Sequence, residues 1–235
     1  MISIENIDVY GFESAIRGMR NPMNSWDRSD SVHCTLESYG HCQGCDLDGF
    51  CTEDHEDNEF VIGANDLDLM KRLFKGGTEH RKYMRMINVT MDITAPLYWW
   101  KEFDTYKIGT VANSCSTMHK IHAKEFELDD FSYEHLIDSS EKGYQFENPM
   151  GVLEYMINVL NHHREKFLET KDKKHWWQMI QLLPTSYNQR RTVQMNYEVA
   201  VNIIRQRQNH KLDEWHVMVD ELLRLPYMKE IMGVE

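Results

Sequence analysis

A chain of 235 residues that is 41% hydrophobic and carries six Trp, eleven Tyr and nine Phe has the material for a sizeable core, which excludes an intrinsically disordered class. Its formal net charge of −12 argues against a general nucleic-acid binder, because phosphate backbones are held by basic surfaces. No apolar run approaches the roughly 20 residues of a membrane span, and the start "MISIENIDVYGFESAIRG" lacks the basic-then-apolar order of an export signal. Fifteen Met and five Cys without such a signal lead to the expectation of a reducing, cytoplasmic setting, with neither membrane nor nucleic acid as partner.

In chain order, residues 21 to 60 are polar and turn-rich and hold four of the five cysteines, so a Cys-rich insertion is expected at about 24–60. Within "HCTLESYGHCQGCDLDGFC", Cys42 and Cys45 have the Cys-x2-Cys spacing of a zinc half-site. Cys34 and Cys51 can complete a tetrahedron of thiolates. The spacing around that pair is irregular, and a set of reduced, partly exposed cysteines is the competing reading. "NDLDLMKRLFKGG" then places Leu67, Met70, Leu73 and Phe74 at helical spacing before a glycine stop. "YMRMINVTMDI" alternates, putting Arg85, Ile87, Val89, Met91 and Ile93 on one face of a strand. Thr94 is the expected cap of the next helix, with Pro96 in its first turn and a body that ends at Gly109.

Residues 110 to 124 are rich in Ser, Thr and Asn and read as a loop or as loosely helical. Long helices are expected at about 152–168 and 173–183, then over 196–207, then at 212–225, with Pro184 and Pro226 as breaks. Strands early and helices late, with no clear linker and no internal repeat, predict a single α+β domain over 1–235, a small antiparallel sheet with several long helices.

The helix "NYEVAVNIIRQR" carries the most informative stripe. At 100° per residue Asn196, Val199, Ala200, Ile203 and Arg207 share one narrow face, apolar in the middle and polar at both ends. An amide and a guanidinium on a core-facing stripe need partners. From Gln189 to Lys211 the charge balance is also reversed, with Arg190, Arg191, Arg205, Arg207 and Lys211 against Glu198 alone. A basic patch on an acidic protein suits a small anion; the alternative is ordinary solvated helix charges, with Arg207 serving the helix C-terminus.

Two blocks, "GGTEHRKYMRMINVTMDITAPLYWWKEFDTYKIGTVANSCSTMH" and "LPTSYNQRRTVQMNYEVAVNIIRQRQNHKLDEW", resemble the flavin-dependent thymidylate synthases. The resemblance implies methylation of dUMP to dTMP with FAD, methylenetetrahydrofolate and NADPH, by a homotetramer that shares its flavin between subunits. It implies that His80, Asn196 and Asn202 contact the flavin and that Arg207 holds the nucleotide. Glu102, Lys107 and Ser116 fall on further substrate-binding positions. The chain also departs from the family. The Arg-His-Arg signature falls on Thr105-Tyr106-Lys107, a substrate-binding glutamine is Glu102, an arginine before the Leu-Pro is near Ile180, and a helix arginine is Glu198. A carboxylate in place of an arginine repels phosphate. A different pyrimidine nucleotide as substrate, or a non-catalytic oligomeric binding module, are therefore the competing readings.

The remaining constellations carry less. Ser114, Cys115, Ser116 and His119 have no Gly-x-Ser-x-Gly elbow beside them. His162 and His163 are adjacent and so sit on different helix faces, as surface histidines do. The Trp pairs at 99–100 and 176–177 read as core or interface aromatics.

Overall fold

The computed structural model describes residues 2–33, 60–139 and 148–234. In chain order these form β1 (Ser3–Tyr10), α1 (Phe12–Arg20), β2 (Val32–His33), β3 (Phe60–Val61), α2 (Ala64–Lys75), β4 (Asn88–Pro96) and α3 (Leu97–Phe103). There follow β5 (Thr110–Ser114), α4 (Pro149–Thr170), α5 (Lys173–Leu182), β6 (Asn188–Asn196), α6 (Tyr197–Arg207), α7 (Asp213–Leu223) and α8 (Met228–Met232). Four strands form one sheet in the order β1-β4-β6-β5, and β2 pairs antiparallel with β3 in a separate ribbon. The architecture is the mixed helix-and-sheet class that the sequence predicts. None of these helices is long and apolar enough to cross a membrane.

Contacts gather the chain into two compact units, one of Met1–Ile7 with Met91–Val193 and one of Asp8–Thr90 with Gln194–Glu235. In the first, α4 and α5 pack on each other over a core of Ile121, Phe126, Phe131, Leu153, Ile157, Leu160 and Met179. Asn148 opens α4 by accepting from Gly151 N at 2.7 Å, with Pro149 in the first turn, and Asp172 caps α5. In the second, α2 packs on α8, α6 on α7, and α1 on the 3-10 turn Lys82–Arg85. Gly11, which leads into α1, has φ +100, and a Cβ there would stand 2.2 Å from the Met86 carbonyl oxygen, so only glycine fits.

The expected strand is present, with Val89, Met91, Ile93 and Ala95 buried at alternate positions. Arg85 belongs instead to the 3-10 turn before it.

Three boundaries differ from expectation. Thr94 lies inside β4, which runs through Pro96, and α3 starts at Leu97 without a side-chain cap. Its first N–H groups are satisfied by another segment: Leu97 N donates to Tyr187 O and Tyr98 N to Thr185 O, each at 3.0 Å. The same helix stops at Phe103 rather than near Gly109, and Thr105 Oγ1 donates to the Glu102 carbonyl at 2.7 Å just past its end. Within 110–124, Thr110–Ser114 is the edge strand β5 rather than loop. Four of its five side chains are exposed, so no inward-outward alternation marks it. β6 has no counterpart among the expected elements. Its first two inward positions are polar, where Gln189 Nε2 donates to Cys115 O at 2.7 Å and the Arg191 guanidinium lies 4.1 Å from the Trp100 ring centroid, so only Val193 and Met195 carry the apolar alternation.

Candidate functional site

The stripe on α6 is built as its spacing requires. Val199, Ala200 and Ile203 are buried, and Asn196 is the N-cap, its Oδ1 accepting from Val199 N at 3.1 Å. This engages one end of the Asn196 amide in folding; no described residue takes a hydrogen bond from its Nδ2. Asn202, half-buried on the same helix, makes no side-chain hydrogen bond among the described residues. At the far end Arg207 is half-buried, its guanidinium carbon 4.6 Å from the Trp215 ring centroid on α7. Asn196 and Arg207 are 11 residues apart, so about 16 Å of helix axis separates them, more than one small group spans.

His80 is exposed in the turn after α2, where His80 N donates to Gly77 O at 3.1 Å. Its ring rests on Gly76, closely enough that a Cβ there would come within 3.1 Å. The next residue ties this turn to α6. Arg81 Nε and Nη2 donate to Glu198 Oε1 at 3.1 and 2.9 Å, and both side chains are buried. The other oxygen, Oε2, is buried without a partner among the described residues. Glu198 is thus engaged by a cation that the sequence did not single out, and its charge is not a free repulsive one. Beneath, Tyr83 donates to Met70 O at 3.0 Å. Burial raises its phenol pKa, opposed by the Arg81 charge and assisted by that of Glu198. Arg205 and Arg81 both lie over the Phe74 ring, at 5.0 and 5.3 Å from its centroid.

The other candidate residues belong to the first unit. Glu102 is half-buried in the last turn of α3, and Lys107 is exposed in the segment after it. Ser116 is exposed, and its Oγ accepts from His119 N at 2.9 Å and Met118 N at 3.3 Å, a local turn. Arg191, counted in the sequence as part of the basic patch, is a cation on β6 with partners of its own. Its Nη1 donates to Asp104 Oδ1 at 2.7 Å, immediately before Thr105-Tyr106-Lys107. His163 also has a partner that its spacing did not reveal: its Nδ1 is 3.1 Å from His175 Nδ1 on α5. Cys34, Cys42, Cys45 and Cys51 lie outside the described residues. Among the described residues no three His, Cys, Asp or Glu side chains converge on a metal position, and nothing supports zinc.

No family model matches the sequence, and no curated protein matches it. The fold, by contrast, is that of the flavin-dependent thymidylate synthases. Over 98% of its length the chain is similar to thymidylate synthase X (ThyX) from Helicobacter pylori in a crystal structure with FAD and dUMP. The TM-score is 0.62 at 16% identity, with 96% of that chain covered. A second structure of that enzyme complexed with FAD and dUMP matches with TM-score 0.60 and 16% identity, over 96% of each chain. The UMP/dUMP methylase PolB from Streptomyces cacaoi, bound with 5-Br dUMP, matches with TM-score 0.62 and 11% identity over 100% of this chain and 96% of that one. These neighbours are enzymes, and at such identities the likeness establishes the fold.

Proposed function

We propose that the protein is a flavin-dependent methyltransferase of nucleotide metabolism, converting dUMP to dTMP with methylenetetrahydrofolate as one-carbon donor and NADPH as reductant. It works as a cytoplasmic homotetramer built from one such domain per chain. The observation that carries this reading is α6, whose apolar stripe is buried while Asn196 at its start spends only one end of its amide on the helix cap. The residues present fit FAD: Asn196 Nδ2 and the half-buried Asn202 amide are engaged by no described residue, and an exposed imidazole, His80, stands in the turn tied to the same helix. Asn196, Asn202 and His80 would hold the flavin, which supplies the redox chemistry of one-carbon transfer when bound.

Arg207 would hold the nucleotide. Its planar fork of donors, steadied by the Trp215 ring, suits a phosphate or a uracil carbonyl. On the family resemblance, Lys107, Glu102 and Ser116 are further substrate-binding residues of the chain. In such a site the chain's own task is to orient the reactants and to hold charge, so no side-chain nucleophile is required.

A related pyrimidine nucleotide as substrate is the second reading. It is favoured by the single cation in Thr105-Tyr106-Lys107 and by the commitment of Glu198 to Arg81. One experiment tests both. The purified protein is loaded with FAD and its visible spectrum recorded, and methyl transfer to dUMP, UMP and dCMP is then followed. A flavin spectrum with dTMP as product is expected. Protein that takes up no FAD overturns the proposal, while FAD uptake with no methylated product from any of the three leaves a binding module.

A further inference from the structure

A cleft of about 530 Å3 lies in the second unit between α2 and the turn that follows α1, lined by none of the residues assigned above. One wall is a face of α2 carrying Asn65, Asp68, Leu69 and Arg72, at i, i+3, i+4 and i+7. The facing wall is the loop with Asn24, Asp27 and Arg28. Arg20, 4% exposed, also lines it.

Arg20 is held there by a built network. Its Nε donates to Asp66 Oδ1 at 2.6 Å and its Nη1 to the Ser25 carbonyl at 3.1 Å. Asp66 is fully buried and also accepts from Ser29 Oγ and Ser31 Oγ at 2.7 Å and from the N–H groups of Asp30 and Ser31 at 3.1 Å. Burial pushes the Asp66 carboxyl up. Hydrogen bonds from Ser29, Ser31 and Arg20, with the charge of Arg20, outweigh this and leave its pKa below the usual value. An ionised Asp66 therefore fixes the guanidinium, and its third nitrogen, Nη2, has no partner among the described residues.

Around it, the side chains of Asn24, Asp27, Arg28 and Asn65 likewise make no hydrogen bond or ion pair among the described residues, whereas Arg72 Nε is tied to Asp68 at 2.8 Å. A fixed, buried arginine beside a second, unengaged one is an oxyanion-binding arrangement. The volume falls within the roughly 300–1,000 Å3 of small-molecule sites, well above what a bare phosphate fills. Two amides and a carboxylate on the walls suit the hydroxyl groups of whatever carries that oxyanion.

We propose that this cleft binds a sugar phosphate, with Arg20 and Arg28 on the phosphate and Asn24, Asp27 and Asn65 on the hydroxyls. The ligand is either a free sugar phosphate or the sugar–phosphate end of a nucleotide. The full-length protein is titrated calorimetrically with ribose 5-phosphate, AMP and inorganic phosphate, and the fluorescence of Trp26, next to Asp27 in the loop, is read in parallel. Ribose 5-phosphate is expected to bind more tightly than inorganic phosphate. Tighter binding of AMP assigns the nucleotide, and weaker binding the free sugar phosphate.

Arg28→Gln, at an exposed position that leaves the fold intact, should weaken binding about tenfold to a hundredfold, the worth of a charged hydrogen bond. Asn65→Ala should weaken it less, and both variants should keep the wild-type capacity for FAD. Binding of neither sugar phosphate, binding no tighter than that of inorganic phosphate, or binding that Arg28→Gln leaves unchanged overturns the proposal. These results leave the flavin reading untouched, because none of them depends on it.

Discussion

Substituting Glu198 by alanine strands a buried cation. The Arg81 side chain is 5% exposed, and both of its hydrogen bonds to Glu198 end on the same oxygen, at 3.1 and 2.9 Å. Removing one member of a buried ion pair costs about 3–5 kcal/mol, because the other is left charged and unsolvated. Two features pull this towards the lower figure. Arg81 keeps the Phe74 ring 5.3 Å from its guanidinium carbon, and Glu198 Oε2 contributes nothing, being unpartnered. About 3 kcal/mol is therefore expected, which for a chain of this size is a fall in Tm of roughly 6–12 °C.

The measurement is urea unfolding of wild type and Glu198→Ala, followed by a double-mutant cycle of Glu198→Leu, Arg81→Met and the double variant. The double variant, which buries two apolar side chains, should recover most of the loss seen in either single variant. A cost below about 1 kcal/mol for Glu198→Ala, or a double variant no better than the singles, would show that the pair is not what holds the turn carrying His80 to α6.

Arg207→Lys separates a nucleotide clamp from a helix cap. A clamp loses about 1.5–3 kcal/mol of dUMP binding in flavin-loaded protein, because an ammonium cannot reproduce the planar fork. Retained binding would assign Arg207 to structure, since lysine serves a helix C-terminus equally well. The His163–His175 contact predicts an acid-sensitive hairpin. Burial, then the charges of His162 and His175, hold the His163 pKa below its usual value, so the unfolded chain takes up the proton first as the pH falls. Stability from this group is complete above the unfolded pKa, about 6.5, and is lost as the pH drops through the lower folded value. Tm at pH 5.5 should lie below that at pH 7.5, and His163→Asn should narrow the gap; an unchanged gap counts against the contact.

Elements with strong periodicity were legible in the sequence. β4 reads as a strand because Val89, Met91 and Ile93 alternate inward, and α6 reads as a helix because Val199, Ala200 and Ile203 share a face. β6 does not, because Arg191 faces inward and is satisfied by Trp100 and Asp104, two partners far away in sequence. β5 does not, because an exposed edge strand has no buried face to advertise. The sequence places Asn196 on the helix stripe as a polar group in need of a partner, and the structure makes it the N-cap; the neutralisation of Glu198 could not be read at all, because Arg81 is 117 residues distant. Long-range ion pairs leave no periodic trace, so a charge that looks hostile to phosphate along the chain is in three dimensions already engaged.

The short ribbon at the start of the chain bears on how this sequence can change. Val32 pairs with Val61 and His33 with Phe60, so the chain departs from and returns to the same point of the structure. The two ends of the intervening chain therefore leave the ribbon side by side. The entropy of closing such a segment grows only logarithmically, about 0.6 kcal/mol for each doubling of its length. With the ends held together by the ribbon itself, a change in the length of chain between them alters the cost of closing β2 on β3 by no more than that increment.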